Sequence, residues 1–284
     1  MSGTLTLAAT PIGNVGDATY RLVSALTSTP VIAAEDTRRL RKLLAMLELT
    51  TDAQIVSYFD QNEVERQPWL LEQLAEDRDV LLVTDAGMPS VSDPGYRLVD
   101  AAIAAGIKVR VLPGPSAVTT AITISGLAVD RFTFEGFLPR KAGDRMRRLE
   151  ALATEARTMV FFEAPHRTAE TLQAMRDVFG GGRRAAVCRE LTKTYEEVVR
   201  GTLADAVAWA DREVLGEVTI VIAGLDEAVS AALTPGRFVA EVDARIAAGT
   251  ERKDAVGEVA KALGVPRRDV YDAVVAAKRA DQRP

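Results

Sequence analysis

The feature that most constrains the fold is a series of short apolar runs, with little polar alternation, in the first half of the chain. The runs TLTLAAT, VIAAE, IVSYF, VLLVTD and KVRVLP predict strands. Helical patterns separate them at residues 18–28, 36–47 and 94–105. Strands that are apolar on both faces suit a largely parallel sheet covered on both sides. This order predicts an α/β domain over residues 1–126.

The second half predicts a different sheet. Strands are expected at RFTFEGFL, TMVFFE, RAAVCRE, EEVVRGT and EVTIVIAG. Several of them follow one another too closely for a crossover helix, so this sheet should be mixed or partly antiparallel. We expect a second α/β domain at residues 127–224, a linker at 225–236 and a small helical segment at 237–284.

Composition excludes several classes of protein. The length of 284 residues suits two domains. Cys188 is the only cysteine, which rules out an intramolecular disulfide and a thiolate metal cluster. No apolar run is long enough to span a membrane, and the N-terminus lacks the pattern of a secretory signal. We therefore expect a cytoplasmic protein that does not associate with membranes.

Three loops follow predicted strands and are rich in small residues and proline: ATPIGN (9–14), TDAGMPSVSDPG (84–95) and PGPSA (113–117). The carboxyl ends of parallel strands meet at one edge of a sheet, where such folds place ligands. The second loop is longer than a connection requires, and its small side chains allow backbone groups to approach a ligand. For the first loop alone, a simple turn is an equal alternative. None has the lysine of a phosphate-binding loop, so a nucleoside triphosphate is not expected.

These loops, together with AAEDTR, GFLPRK, FFEAPHR and RELTK, resemble the tetrapyrrole methylase superfamily over residues 3–224, and within it the branch that acts on ribosomal RNA. The resemblance implies two α/β domains, S-adenosylmethionine in the cleft between them, no metal, and a homodimer. It also implies methylation of the ribose 2′-hydroxyl of a cytidine in the decoding region of small-subunit ribosomal RNA. The substrate would be that RNA or the assembled small subunit.

Two departures separate the chain from members with small-molecule substrates. Many of those members carry a glycine-rich first loop and a Gly-Asp-Pro triplet in the second, whereas this chain has ATPIGN and Gly87-Met88-Pro89. Both follow the RNA branch. One alternative is a methyltransferase of the same fold that acts on a precorrin or porphyrinoid. The other is a non-catalytic, ribosome-associated RNA-binding protein.

The resemblance also implies positions for the cofactor. In the first domain these come from the three loops, and in the second from strand ends. The set is Pro11, Ile12, Gly13, Asp85, Ala86, Gly87, Met88, Pro89, Val91, Ser92, Ser116, Ala117, Phe162, Glu163, Ala164, Glu190, Val218 and Thr219.

Methyl transfer to a ribose hydroxyl would benefit from a nearby base, because the hydroxyl must lose its proton. The side chains that could act are Glu35, Asp36, Glu163, His166, Glu190 and Lys193. Structural roles are open for all of them: Glu35 and Asp36 could cap a helix, and Glu190 could pair with Lys193. The sequence does not assign the base.

The net charge of −5 argues against a generic nucleic-acid binder, but basic residues are concentrated locally. Such runs are often solvated helix faces. Given the resemblance, phosphate contact is the favoured interpretation for two clusters, because arginine forks match phosphate oxygens. The predicted RNA contacts are Arg38, Arg39, Arg140, Lys141, Arg145, Arg147 and Arg148.

Overall fold

The computed structural model describes residues 2–225, 234–263, 265 and 267–281. The chain forms two compact units: Met1–Thr120 with Leu191–Thr194, and Ala121–Glu190 with Tyr195–Pro284. The division falls inside a helix rather than after residue 126, and the short segment 191–194 belongs with the first unit. Most of the expected linker, residues 226–233, lies outside the described residues.

The first unit is built on a parallel five-stranded sheet. Its strands have the order β3-β2-β4-β1-β5, and every neighbouring pair is parallel. The bounds are β1 (Thr4–Ala8), β2 (Val31–Ala34), β3 (Gln54–Ser57), β4 (Val80–Val83) and β5 (Lys108–Leu112). The prediction of a parallel α/β sheet is confirmed.

Helices cover both faces of this sheet. They are α1 (Tyr20–Ser28), α2 (Thr37–Met46), α3 (Glu63–Ala75) and α4 (Tyr96–Ala104). Because side chains alternate along a strand, Leu82 of β4 packs in one core with α3 and α4. Its neighbour Leu81 packs in the opposite core with α1 and α2. Burial on both faces explains why the strands read as continuous apolar runs.

The second unit contains a mixed five-stranded sheet in the order β6-β7-β10-β8-β9. Only β6 and β7 are parallel; the other neighbouring pairs are antiparallel, as expected. The strands are β6 (Phe132–Phe137), β7 (Thr158–Glu163), β8 (Arg184–Arg189), β9 (Glu197–Thr202) and β10 (Val218–Ile222). Helix α5 (Ala117–Ser125) begins in the first unit and ends in the second. The other helices of the second unit's α/β part are α6 (Ala142–Ala151), α7 (Thr168–Phe179) and α8 (Leu203–Trp209).

The expected C-terminal helices are present as α9 (Pro235–Ala247), α10 (Arg252–Leu263) and α11 (Arg267–Asp281). They share a small apolar core that includes Phe238, Val242, Val259 and Val270. Thr234 caps α9, since its hydroxyl accepts the N–H of Arg237. Among the described residues, no helix is long and apolar enough to cross a membrane.

Candidate active site

The three loops of the first unit meet at the carboxyl edge of the parallel sheet. Thr10 and Gly87 exchange two backbone hydrogen bonds of 3.0 Å, which join the first loop to the second. The hydroxyl of Thr10 also donates to the carbonyl of Thr84 at 3.1 Å. A Cβ built on Gly87 would lie 3.8 Å from the carbonyl oxygen of Pro115, in the third loop. We call this meeting point the loop rim.

The backbone of the second loop is held in an unusual conformation. Gly87, Ser90, Ser92 and Gly95 all have positive φ, with values of 80°, 69°, 63° and 138°. The left-handed region costs a residue with a Cβ about 1–2 kcal/mol, so two serines there indicate that the surrounding structure enforces the shape. Hydrogen bonds within the loop help to hold this shape, since the N–H of Ser90 donates to the carbonyl of Pro94 at 3.3 Å.

The first loop is fixed by the segment 191–194. The backbone N–H of Asn14 donates to the hydroxyl of Thr192 at 3.0 Å. A Cβ on Gly13 would lie 2.7 Å from that hydroxyl and 2.8 Å from the carbonyl oxygen of Leu191, and it would also clash with Lys193. Only glycine fits there. Lys193, one of the side chains considered as a catalytic base, therefore packs against the first loop.

Carboxyl groups collect beneath the rim. The N–H of Asp85 donates to Glu35, and the N–H of Asp36 donates to Asp85, both at 3.1 Å. Burial raises the pKa of Glu35 and of Asp85. The pKa of Asp93 is raised to about 7, first by burial and then by the charge of Glu35. The cavity enclosed here measures about 20 Å³, enough for one water molecule and too small for a cofactor.

Several predicted bases have structural roles. Asp36 caps α2, and the adjacent Arg38 guanidinium holds the pKa of that carboxyl well below its usual range. Glu163 is 3% exposed. Its oxygens accept the N–H of Ala164 at 2.8 Å and the hydroxyl of Thr171 at 2.5 Å. Arg167 lies 3.4 Å away. Both groups are therefore committed to the fold.

Glu190 and His166 differ in their surroundings. Glu190 has a φ of 54°, and its carboxylate accepts the backbone N–H of Glu217 at 2.9 Å. It therefore holds the turn that precedes β10. His166 is exposed in a single 3₁₀ turn at Pro165–Arg167. Neither position identifies a proton acceptor.

The cofactor residues predicted in the second unit lie at one end of its sheet. Val218 is opposite Glu163 on one side and Arg189 on the other. Thr219 is opposite Phe162, whose ring packs edge-on against Phe134 with centroids 4.9 Å apart. Ala164 follows β7, and Glu190 follows β8. The positions that the resemblance implies for the cofactor in this unit therefore lie together at one end of its sheet.

The basic residues predicted to contact RNA differ in their burial and in whether they already have a carboxylate partner. Arg145 is 3% exposed and pairs with Glu170, so the expectation that it contacts RNA is corrected: it is part of the core of the second unit. Four others are exposed but already have carboxylate partners: Arg38, Arg39, Arg147 and Arg148. Arg140 and Lys141 are exposed and have no ion pair among the described side chains.

Comparison with known proteins identifies the class. The profile of the tetrapyrrole (corrin/porphyrin) methylases matches residues 4–207. The chain belongs to the tetrapyrrole methylase family, which confirms the resemblance seen in the sequence. Among solved structures, the methyltransferase CobJ is similar with a TM-score of 0.60 at 21% identity, covering 78% of this chain and 95% of that one.

Another similar structure is uroporphyrin-III C-methyltransferase from Thermus thermophilus complexed with S-adenosylhomocysteine. Its TM-score is 0.54 at 20% identity, and the match covers 77% of this chain and 96% of that one. At 20–21% sequence identity, these two structural similarities support the fold of the chain and no more than the fold.

Sequence relatives are much closer. The chain is 51% identical to ribosomal RNA small subunit methyltransferase I of Mycobacterium tuberculosis (strain CDC 1551 / Oshkosh), over 98% of this chain and 96% of that protein. A protein of the same name from Halalkalibacterium halodurans is 44% identical, over 95% of this chain and 94% of that protein.

Two features of the rim were missed from the sequence. Asp93 is an ordinary loop residue in the pattern Ser-Asp-Pro, and its raised pKa depends on burial beside Glu35 from another strand. The contact of Thr192 with Asn14 spans 178 positions. The only available signal for it was the presence of RELTK among the family motifs.

Proposed function

We propose that the chain is an S-adenosylmethionine-dependent methyltransferase that modifies small-subunit ribosomal RNA. The similarity to proteins of that name over nearly the whole chain is the observation that carries the proposal. We further propose that the acceptor is the ribose 2′-hydroxyl of a cytidine in the decoding region, that the enzyme acts in the cytoplasm, and that it is a homodimer.

The loop rim fits an adenosine-containing cofactor in its chemistry. Gly87 and Ala86 leave room beside the backbone, and the carboxylates of Asp85 and Glu35 can accept hydrogen bonds from hydroxyl or amino groups. The loop residues proposed above from the resemblance would hold the group. When bound, S-adenosylmethionine supplies an electrophilic methyl group. The protein must position the ribose oxygen against it.

For the proton of the ribose hydroxyl, we propose Asp93 or Glu35 as acceptor. A base works best when its pKa lies near the pH at which the enzyme operates. Burial raises the pKa of both groups, that of Asp93 to about 7. Asp36 and Glu163 are committed to other partners, as described above.

Arg140 and Lys141 are the strongest candidates for phosphate contact, because they are exposed and lack a carboxylate partner among the described side chains. We expect Arg140→Glu/Lys141→Glu to weaken binding to small-subunit ribosomal RNA, and to lower the slope of log affinity against log salt by about 2. The control is Lys108→Glu/Arg110→Glu on the exposed edge strand β5, which changes the net charge equally. Equal salt slopes for the two variants would remove Arg140 and Lys141 from the RNA surface.

The function is tested directly with radiolabelled S-adenosylmethionine. We expect label in small ribosomal subunits, or in their naked RNA, isolated from cells that lack this protein, and mapping of 2′-O-methyl marks should locate the nucleotide. Porphyrinoid and corrin precursors serve as the competing substrates. Turnover of a precursor without labelling of RNA would favour the tetrapyrrole alternative, and cofactor-independent RNA binding alone would favour a non-catalytic factor.

A further inference from the structure

A basic groove runs between α10 and α11, far along the chain from the loop motifs. It has a volume of about 980 Å³ and is lined by Arg252, Lys253, Arg267, Arg268, Tyr271 and Lys278 over an apolar floor of valines. Val256 and Val274 in that floor are 4% and 6% exposed. Arg267 donates to the carbonyl of Lys253 at 2.8 Å, which ties the start of one helix to the start of the other.

The described acidic side chains of α10 and α11 are not among the residues that line the groove, although Asp272 pairs with the groove residue Arg268. Asp269 and Asp272 line a different, smaller cavity, next to Phe238 and Thr154. Glu258 points toward Arg245 of α9, at 3.8 Å. Among the side chains that the structure describes, none that lines the groove is acidic. Segregation of this kind produces a local positive potential in a chain whose net charge is −5.

Most of the groove cations are available to a ligand. Arg268 pairs with Asp272 at 3.5 Å, and its side chain is still 87% exposed. Arg252, Lys253 and Lys278 are exposed and form no ion pair with any side chain that the structure describes. Like charges that share one groove repel each other, so an anionic ligand would relieve that repulsion.

Tyr271 adds an aromatic surface to this positive groove. Its side chain lines the groove and is 57% exposed. Base–aromatic stacking is tolerant of sequence, because every base has a π face. An exposed tyrosine among unpaired cations is the combination that binds single-stranded nucleic acid.

The position of the helices along the chain gives independent support. The family profile ends at residue 207, before α9 begins, and the solved structure of CobJ covers 78% of this chain. The relatives named for ribosomal RNA match 95–98% of it. The helices therefore fall within the length shared with those relatives and beyond the part matched by the family profile.

We propose that the groove between α10 and α11 binds a single-stranded segment of RNA, with its cations on the phosphates and Tyr271 stacked on a base. The proposal rests on the proposed function for the identity of the RNA, and it deepens that function by assigning an RNA-binding element separate from the loop rim.

The first test is charge reversal at Arg252 and Lys278. A fluorescein-labelled, mixed-sequence single-stranded RNA is titrated with the full-length protein at several salt concentrations. Arg252→Glu/Lys278→Glu is expected to weaken binding at least about tenfold and to lower the salt slope by about 1.4. S-adenosylmethionine affinity and melting temperature should stay at the wild-type values. Lys108→Glu/Arg110→Glu is the control with the same net charge.

Equal loss of RNA affinity in the two charge-reversal variants would overturn the proposal, because net charge alone would then explain the effect. So would competition by poly-L-glutamate as strong as that by RNA, which would point to an acidic protein partner. If the groove variant loses RNA affinity while the wild-type protein methylates no ribosomal RNA, the groove stands and the proposed function fails.

The second test isolates stacking. Tyr271→Phe should bind the RNA as wild type does, whereas Tyr271→Ala should bind at least about fivefold more weakly. As a spectroscopic check, a tryptophan placed by Tyr271→Trp should be quenched by RNA. A tryptophan placed by Ile103→Trp, at a position that is 62% exposed at the end of α4, should not. Unchanged affinity in Tyr271→Ala would refute the stacking role.

Discussion

The substitution Gly13→Ala tests how the first loop is held. The added methyl group would lie 2.7 Å from the hydroxyl of Thr192 and 2.8 Å from the carbonyl oxygen of Leu191. Real Cβ atoms do not approach backbone oxygen this closely, so either the loop or the segment 191–194 must move. Overpacking of this kind costs about 1–3 kcal/mol, and we expect the free energy of unfolding to fall by that amount.

For a chain of this length, a loss of about 1–3 kcal/mol lowers the melting temperature by roughly 2–10 °C. The measurement is urea unfolding followed by circular dichroism, with a thermal scan beside it. Gly182→Ala is the matched control, because nothing lies within 4 Å of its added methyl group and its φ is not positive. That variant should stay within about 0.5 kcal/mol of wild type.

A double-mutant cycle with Thr192 sharpens this prediction. Thr192→Ala alone removes the hydrogen bond from the Asn14 N–H, at a cost of about 0.5–1.5 kcal/mol. In Gly13→Ala/Thr192→Ala one clashing atom is gone, so the combined loss should be smaller than the sum by about 0.5 kcal/mol or more. Strict additivity, or wild-type stability of Gly13→Ala, would refute the packing of segment 191–194 on the first loop.

Three further predictions concern the site. Gly87→Trp should abolish S-adenosylmethionine binding in titration calorimetry while the fold persists, since it fills the space beside Ile12 and Pro115; normal binding would remove the second loop from the site. Because the folded protein raises the pKa of Asp93 from 3.8 to about 7, stability should fall as pH rises through that interval. Asp93→Asn should flatten the fall, and an unchanged pH profile would contradict the pKa shift. Glu163→Gln should lower stability by about 2–3 kcal/mol, since it leaves the Arg167 guanidinium without its buried partner; a stable but inactive variant would restore Glu163 as a proton acceptor.

Elements that depend on local patterning were predictable from the sequence. The strands of both sheets were found because burial on both faces removes polar alternation from runs such as that of β4. The meeting of the three loops followed from parallel topology alone, since each loop leaves the carboxyl end of a strand.

The charge cluster at GFLPRK shows where the prediction failed. Arg145 was grouped with its basic neighbours, although it lies four residues before Leu149 and therefore on the buried face of α6. Helical periodicity could have separated it. The contact of Thr192 with Asn14 had no such local signal, because the two residues lie 178 positions apart in the sequence.

Backbone strain locates the proposed site independently of any motif. Within the described part of the chain, non-glycine residues with positive φ occur at six places: Glu48, Asp77, Ser90, Ser92, Glu190 and Thr192. Glu48 and Asp77 each follow the C-cap of a helix, where the left-handed conformation is common. The other four lie in the second loop and in the RELTK segment, where no helix end requires them. Strain of about 1–2 kcal/mol at each position persists only where the surroundings enforce it. Its coincidence with the loop rim and with the segment that fixes the first loop therefore favours a shape maintained for a ligand.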